Sequence, residues 1–279
     1  MRAMLKQSFI LGVVVLALGV CDVQAALIAQ WNFDEAPGTT VAHDSIGGHD
    51  GQLSGDANFV GGGISGNTLQ ISRSGNGFVN VGDYFDFTNG DFSIVAWIKL
   101  PPETALPDSV FIGKHRSGTD AGYFLAVNYS WSGQTDTPTF WQHSYYYVNA
   151  MTDVNDGNWH QVVGVYQQGG TASIYVDGTF QNSIQSAPIA QIDVPFLVGG
   201  ISYGDTPTGM FDGFVDKLRL YDNALTSEEI QILFITDPSA PSGCIAPSWC
   251  EGADINKDGR VDFEDFAILA NHWLEGVNP

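Results

Sequence analysis

Apolar residues recur at every second position in FSIVAWIKL (92–100), WHQVVGVY (159–166), ASIYV (172–176) and DKLRLYD (216–222). A strand turns successive side chains to opposite faces, so this period predicts strands with a buried face. Asp177-Gly178 follows ASIYV directly and predicts a two-residue hairpin. Such runs, separated by turn signals, extend from Ala26 to about Ile235 and predict an all-β, antiparallel two-sheet sandwich of the jelly-roll kind. Helical spacing appears there once, in TSEEIQILF (226–234). Thr226 can cap that helix with Glu229 as its reciprocal partner, which turns Ile230 and Leu233 toward the sheets.

The pattern changes at both ends. Arg2 and Lys6 precede the apolar run Phe9–Val20, and Val23-Gln24-Ala25 closes it. This is the layout of a signal peptide over 1–25, cut before Ala26. The run is too short to span a bilayer, which takes about 20 residues. Cys21 follows Val20, whereas a lipoprotein cysteine usually follows a smaller residue. TDPSAPSG (236–243) lacks helix and strand preference and reads as a linker. The sandwich is therefore expected over 26–235 and a small module over 244–279. Without Cys21, the remaining cysteines are Cys244 and Cys250. In an exported chain a disulfide between them is expected.

Charge narrows the partners. There are 31 acidic and 10 basic residues, a formal net charge of −21. Affinity for nucleic acid and for anionic membranes comes from Lys and Arg, so both are excluded as expected partners.

The closing stretch ADINKDGRVDFEDFAILANHWL (253–274) carries a metal-loop pattern. Asp254, Asn256 and Asp258 take loop positions 1, 3 and 5. Gly259 permits the turn, Arg260 offers its backbone carbonyl, and Asp262 and Asp265 take positions 9 and 12. Hard oxygen donors at this spacing point to Ca2+. Phe263, Phe266, Ala270 and Trp273 then recur at helical spacing. This segment resembles one dockerin repeat, which implies a cohesin-like or cell-surface partner. Dockerins usually have two repeats and small hydroxyl residues at loop positions 10 and 11; here there is one, with Phe263 and Glu264. Asp153-Val154-Asn155-Asp156-Gly157 echoes a calcium loop start, but Gln161 and Gly164 stand where acids should follow, so a turn is expected.

Three segments in order carry a second resemblance: LIAQWNFDEAPGTTVAHDSIGGHDG, DGNWHQVVGVYQQGGTASIYVDG and FDGFVDKLRLYDNALTSEEI. Together they resemble the laminin-G-like, concanavalin A-like lectin/glucanase superfamily. The resemblance implies two stacked antiparallel sheets, one of them concave, and members that bind sugars, bind proteins or hydrolyse glycans. It also implies an ion linking the start and end of the domain, for which Asp44, Asp50, Asp212 and Asp216 are the candidates. Hydrolysis needs paired carboxylates, and the Glu-x-Asp-x-x-Glu strand motif of the glucanase branch is absent. The sandwich glutamates are Glu35, Glu103, Glu228 and Glu229, none on a predicted central strand.

Aromatic density peaks at 123–147. Strand alternation places Tyr123, Leu125, Val127, Tyr129 and Trp131 on one face. In the next run it separates Trp141, His143, Tyr145 and Tyr147 from Phe140, Gln142, Ser144 and Tyr146. The stripe with Gln142, Ser144 and Tyr146 reads as the polar groove surface. Sugar sites pair aromatic faces with polar side chains, and Trp131, Trp141, His143 and Tyr146 are the candidates across the two stripes. The expectation is a secreted, non-catalytic protein that binds an extracellular polysaccharide and is attached through its calcium-dependent tail. The alternatives are a protein-binding or structural module and, third, a glycoside hydrolase.

Overall fold

The computed structural model describes residues 25–102, 108–133, 135–143 and 146–237, apart from the side chains of Trp131 and His143. The signal-peptide segment, the linker from residue 238, Cys244, Cys250 and the 254–265 loop lie outside the described residues.

Strands β1 (Leu27–Trp31), β2 (Val41–Ala42), β3 (Gly51–Ser54), β4 (Asn58–Gly61), β5 (Asn67–Ile71), β6 (Phe78–Gly82), β7 (Phe92–Lys99), β8 (Ser109–His115) and β9 (Gly122–Val127) form the first half. A 3-10 turn (Ser130–Ser132) leads to β10 (Pro138–His143) and β11 (Tyr146–Asn149). Next come β12 (His160–Tyr166), β13 (Thr171–Val176), β14 (Thr179–Gln185), β15 (Phe196–Val198), β16 (Gly200–Tyr203), β17 (Thr206–Gly209) and β18 (Gly213–Tyr221). Helix α1 (Ser227–Thr236) closes the domain.

Two eight-stranded sheets result. The first runs β14-β13-β12-β7-β18-β5-β4, with β1 also paired to β18. The second runs β11-β10-β9-β8-β15-β6-β3-β2, and β16–β17 form a separate hairpin. The paired strands are antiparallel throughout. This is the antiparallel jelly-roll sandwich expected from the pattern.

The main core lies between the sheets. Trp31 and Phe33 are fully buried there together. From the first sheet, Phe92, Ile94, Ala96 and Ile98 of β7, Val162 and Tyr166 of β12, and Leu218 and Leu220 of β18 enter it. Gly164 on β12 has a specific reason: a Cβ there would lie 3.1 Å from Phe140 and 3.2 Å from Leu125 of the opposite sheet. Glycine is what lets the sheets approach at that point.

One face of β7 differs from its sequence reading. Alternation in FSIVAWIKL pointed to one buried face, yet seven of its eight strand residues are buried. Helix α1 covers the outer face of the first sheet: Val95, Val163, Val165 and Ile230 form a second cluster, with Leu233 packed beside it. Phe234 stacks on Trp97 at 5.6 Å. The predicted capping box is present, with Glu229 N–H donating to the Thr226 hydroxyl and Thr226 N–H to the Glu229 carboxylate. Asp177 and Gly178 both have left-handed φ, 50° and 70°, as a two-residue hairpin with matching twist requires. The 153–157 segment is a turn, with Asn155 N–H donating to Asp153 Oδ1 at 2.8 Å.

Candidate functional site: the aromatic outer face of the second sheet

Four neighbouring strands each place one ring on the outer face of the second sheet. They are His115 on β8, Phe124 on β9, Trp141 on β10 and Tyr147 on β11. Their inward neighbours Leu125, Phe140 and Val148 belong to the main core. Phe124 and Trp141 stack at 4.9 Å with planes 7° apart. His115 meets Trp141 edge-on at 4.6 Å. Tyr129, just beyond β9, contacts Phe124 at 5.3 Å and Tyr147 at 5.8 Å, both edge-on. Ile201 of the β16–β17 hairpin and Met210 pack against this cluster. Trp141, Phe124 and His115 form a buried floor, while Tyr129 and Tyr147 are only half-buried.

Polar atoms surround the floor. Asn128 Nδ2, Thr137 Oγ1, Trp141 Nε1, Ser202 Oγ and Arg116 Nε are buried without a hydrogen-bond partner. The Trp141 N–H ends near the Tyr129 hydroxyl, but the geometry falls short of a hydrogen bond. Buried polar groups are ordinarily satisfied, and atoms closed off from solvent in this way are places for an internal water. Burial, with the Asp108 charge and Tyr147 adding to it, pushes the Tyr129 phenol up to about 12. Tyr129 therefore stays a neutral hydroxyl at neutral pH. Burial also pulls the His115 imidazole below 6.5, against the opposing effects of the Ala121 carbonyl and Asp120. Its Nδ1 faces the Ala121 carbonyl at 2.8 Å, which places a proton on that atom.

The residues singled out from sequence are distributed unevenly. Trp141 lies on this outer face with 3% of its surface exposed, as part of the floor. Tyr146 opens β11 at a break in the β10–β11 register and is 42% exposed. Trp131 contributes backbone to the 3-10 turn; its side chain and that of His143 are outside the described set. The expected polar groove stripe is corrected at Gln142. That side chain is fully buried, and its Oε1 accepts from Ala187 N–H at 3.4 Å. It shares its strand face with Phe140, so the packing that takes Phe140 into the core takes Gln142 inward too. Tyr129 also leaves its predicted company: Tyr123, Leu125 and Val127 face the core, whereas left-handed Asn128 (φ 58°) swings Tyr129 to the outer side. Strand alternation already grouped Tyr147 with Trp141. Neither Phe124 nor His115 carried a sequence signal of its own.

The four acids considered for a calcium ion do not converge. Among the described residues no group of three or more His, Cys, Asp or Glu side chains forms a metal site. Asp44 Oδ1 accepts backbone N–H groups of Gln30, Ile46 and Gly47, and Oδ2 that of His49. Donor hydrogens thus point where a cation would need lone pairs. These bonds outweigh burial and hold its carboxyl below the ordinary value. Asp50 accepts from Asp44 N–H and faces His43. Asp212 accepts from Arg73 N–H at 2.8 Å. Asp216 is different: it is fully buried, and burial first, then the Asp34 charge, push its pKa up to about 7. The N–H groups of Ile64 and Lys217 pull the other way. Asp34 is the neighbour the sequence reading omitted. Two carboxylates remain well short of the six to eight oxygens calcium takes.

Residues 73–231, more than half of the chain, match the Concanavalin A-like lectin/glucanases superfamily. The chain belongs to that superfamily. No curated protein matches the chain significantly. Among solved structures, domain 4 of AbnA, a GH43 extracellular arabinanase from Geobacillus stearothermophilus in complex with arabinotriose, is 19% identical with a TM-score of 0.58. That match covers 75% of this chain and 98% of the domain. A botulinum neurotoxin type C structure, described as depending on two ganglioside molecules for cell entry, is 16% identical (TM-score 0.55), with 75% of this chain and 50% of that one covered. A mutant Trypanosoma rangeli sialidase displaying trans-sialidase activity is 19% identical (TM-score 0.55), with 75% of this chain and 32% of that one covered. This chain therefore spans about half the toxin chain and a third of the sialidase chain. At these identities the likeness establishes the fold.

In this concanavalin A-like sandwich the acids avoid the second sheet. Its eight strands contain neither Asp nor Glu. Glu35 accepts His43 N–H, and Glu228 and Glu229 sit in the first turn of α1. Glu103 lies outside the described residues. No helix of the described residues is long and apolar enough to cross a membrane.

Proposed function

We propose that this is a secreted, non-catalytic carbohydrate-binding protein whose sandwich holds an extracellular polysaccharide on the outer face of the second sheet. One observation carries the reading: a row of contacting rings on the outer face of the sheet, with a buried floor under two half-buried tyrosines. Tyrosine faces suit the C–H face of a sugar ring, and their phenol hydroxyls suit its hydroxyls. The arabinotriose and ganglioside named for two structural neighbours agree with it. A sheet without Asp or Glu lacks the paired carboxylates of glycoside hydrolysis, which supports a binding role. Trp131, Trp141, His143 and Tyr146 remain in the proposed site, joined by Tyr129 and Tyr147; Trp141 acts as floor.

The tail is proposed to bind one Ca2+ through Asp254, Asn256, Asp258, the Arg260 carbonyl, Asp262 and Asp265, and to attach the protein to a cohesin-like or cell-surface partner. This all-oxygen donor set fits a hard cation. The Cys244–Cys250 disulfide is proposed as its brace.

Retention on insoluble polysaccharides tests the main reading. Tyr129→Ala and Tyr147→Ala should each weaken retention about tenfold, and the double variant should abolish it. Unchanged retention by a folded double variant removes the site. If the unaltered protein is retained by no polysaccharide, the protein-binding alternative takes its place.

A further inference from the structure

We infer that this face takes a neutral glycan and excludes glycans bearing carboxylate or sulfate groups; the inference rests on the carbohydrate reading above. Recognition of an anionic sugar uses a cation, most effectively the forked guanidinium of Arg. The described residues contain six basic side chains, and each is committed elsewhere. Lys99, Lys217 and Arg219 belong to β7 and β18 of the first sheet. Lys114 is 1% exposed and bridges Asp83 and Asp86. Arg73 directs its guanidinium to Asp212 and to the carbonyls of Asp108 and Met210. Arg116 also borders the aromatic face, and its Nη2 meets Asp205 at 2.9 Å and the Asp193 carbonyl at 3.3 Å.

The remaining ionisable groups near the face point the same way. His115 is neutral through burial, and Tyr129 is a neutral phenol. Asp108 fixes the 3-10 turn through Ser130, and Asp136 pairs with Asn155. Asp120 acts on His115. A carboxylated or sulfated ligand would enter a fringe of aspartates with no uncommitted Lys or Arg among the described residues to receive it. The field of a chain with net charge −21 adds to that repulsion, over the roughly 8 Å reach of charge at physiological salt. A hydroxyl-rich neutral ligand meets no such cost. It can lie against the half-buried rings of Tyr129 and Tyr147 and exchange hydrogen bonds with their phenol hydroxyls.

The test uses the unaltered full chain and matched ligands differing only in charge. De-esterified pectin is compared with the same pectin after its carboxyls are reduced to alcohols. Arabinan and xylan serve as neutral standards, chondroitin sulfate and sialylated ganglioside vesicles as acidic ones. Binding is expected on one or more neutral polysaccharides, with little change between low and high salt. Acidic ligands should bind at least about tenfold more weakly than neutral ones. An acidic ligand bound as tightly as the best neutral one, with affinity falling as salt rises, overturns the inference while leaving the carbohydrate reading intact. Retention on neither class withdraws that reading and this inference with it.

Discussion

His160 sits between two turns of the chain. Its Nδ1 faces Asp177 Oδ2 at 2.8 Å and its Nε2 faces Asp156 Oδ1 at 3.1 Å. Burial alone would lower its pKa, but the hydrogen bonds and charges of Asp177 and Asp156 win, and the net shift is upward from 6.5. The folded value thus lies above the unfolded one. The stabilisation is complete below about pH 6.5 and drains away as pH rises through the raised folded value. Thermal melts of the unaltered protein should therefore lose about 2–4 °C across that window, relative to a His160→Gln variant lacking the imidazolium. Parallel curves for the two proteins would remove this role. Asp177-Gly178 was legible as a hairpin because the signal is local. Its bond to His160 was not, because it depends on how β12 and β13 register.

Helix α1 shows the same division one level up. Its start was legible, since a capping box spans only four residues. What secures its end is not local. Directly after the helix, Asp237 accepts from Arg219 at 2.7 and 3.2 Å and from the Trp97 indole N–H at 2.6 Å. Both members of the ion pair are largely buried. Removing one partner of such a pair leaves an uncompensated charge, at a cost of about 3–5 kcal/mol. Asp237→Ala should lower the unfolding free energy by that order in denaturant titrations. A loss under about 1 kcal/mol would place the pair in the weak, solvent-screened class. The helix also explains why β7 is apolar on both faces, which its alternation concealed. A strand covered on both sides loses the polar half of its pattern.

Across the whole molecule, charge is partitioned. The second sheet carries no acid on its strands, and the acids concentrate in loops, turns and the tail. Calcium is proposed for the tail alone, since Asp44 is saturated with N–H donors and, among the described residues, Asp34 is the one carboxylate that acts on Asp216. Titration of the full chain with Ca2+ should show one site, and the paired change Asp254→Ala and Asp258→Ala should abolish it. The sandwich melt should stay in place in that variant. Calcium uptake that survives the paired change would relocate the ion to the sandwich.

The sequence by itself determined the strand pattern, the hairpin at Asp177-Gly178, the capped helix, and the lack of a glucanase acid motif. Each is local or compositional, so neighbouring residues suffice to specify it. Only the tertiary structure decided which aromatic stripe faces outward. Trp141 and Gln142 are adjacent, and alternation says they point apart without saying which is inside. The opposite sheet settled it: Phe140 fills the space that Gly164 leaves open, carrying Gln142 inward and Trp141 out. Nor could the sequence assemble His115, Phe124, Trp141 and Tyr147 into one row. They come from four strands whose registers are set by cross-strand hydrogen bonds, not by spacing along the chain.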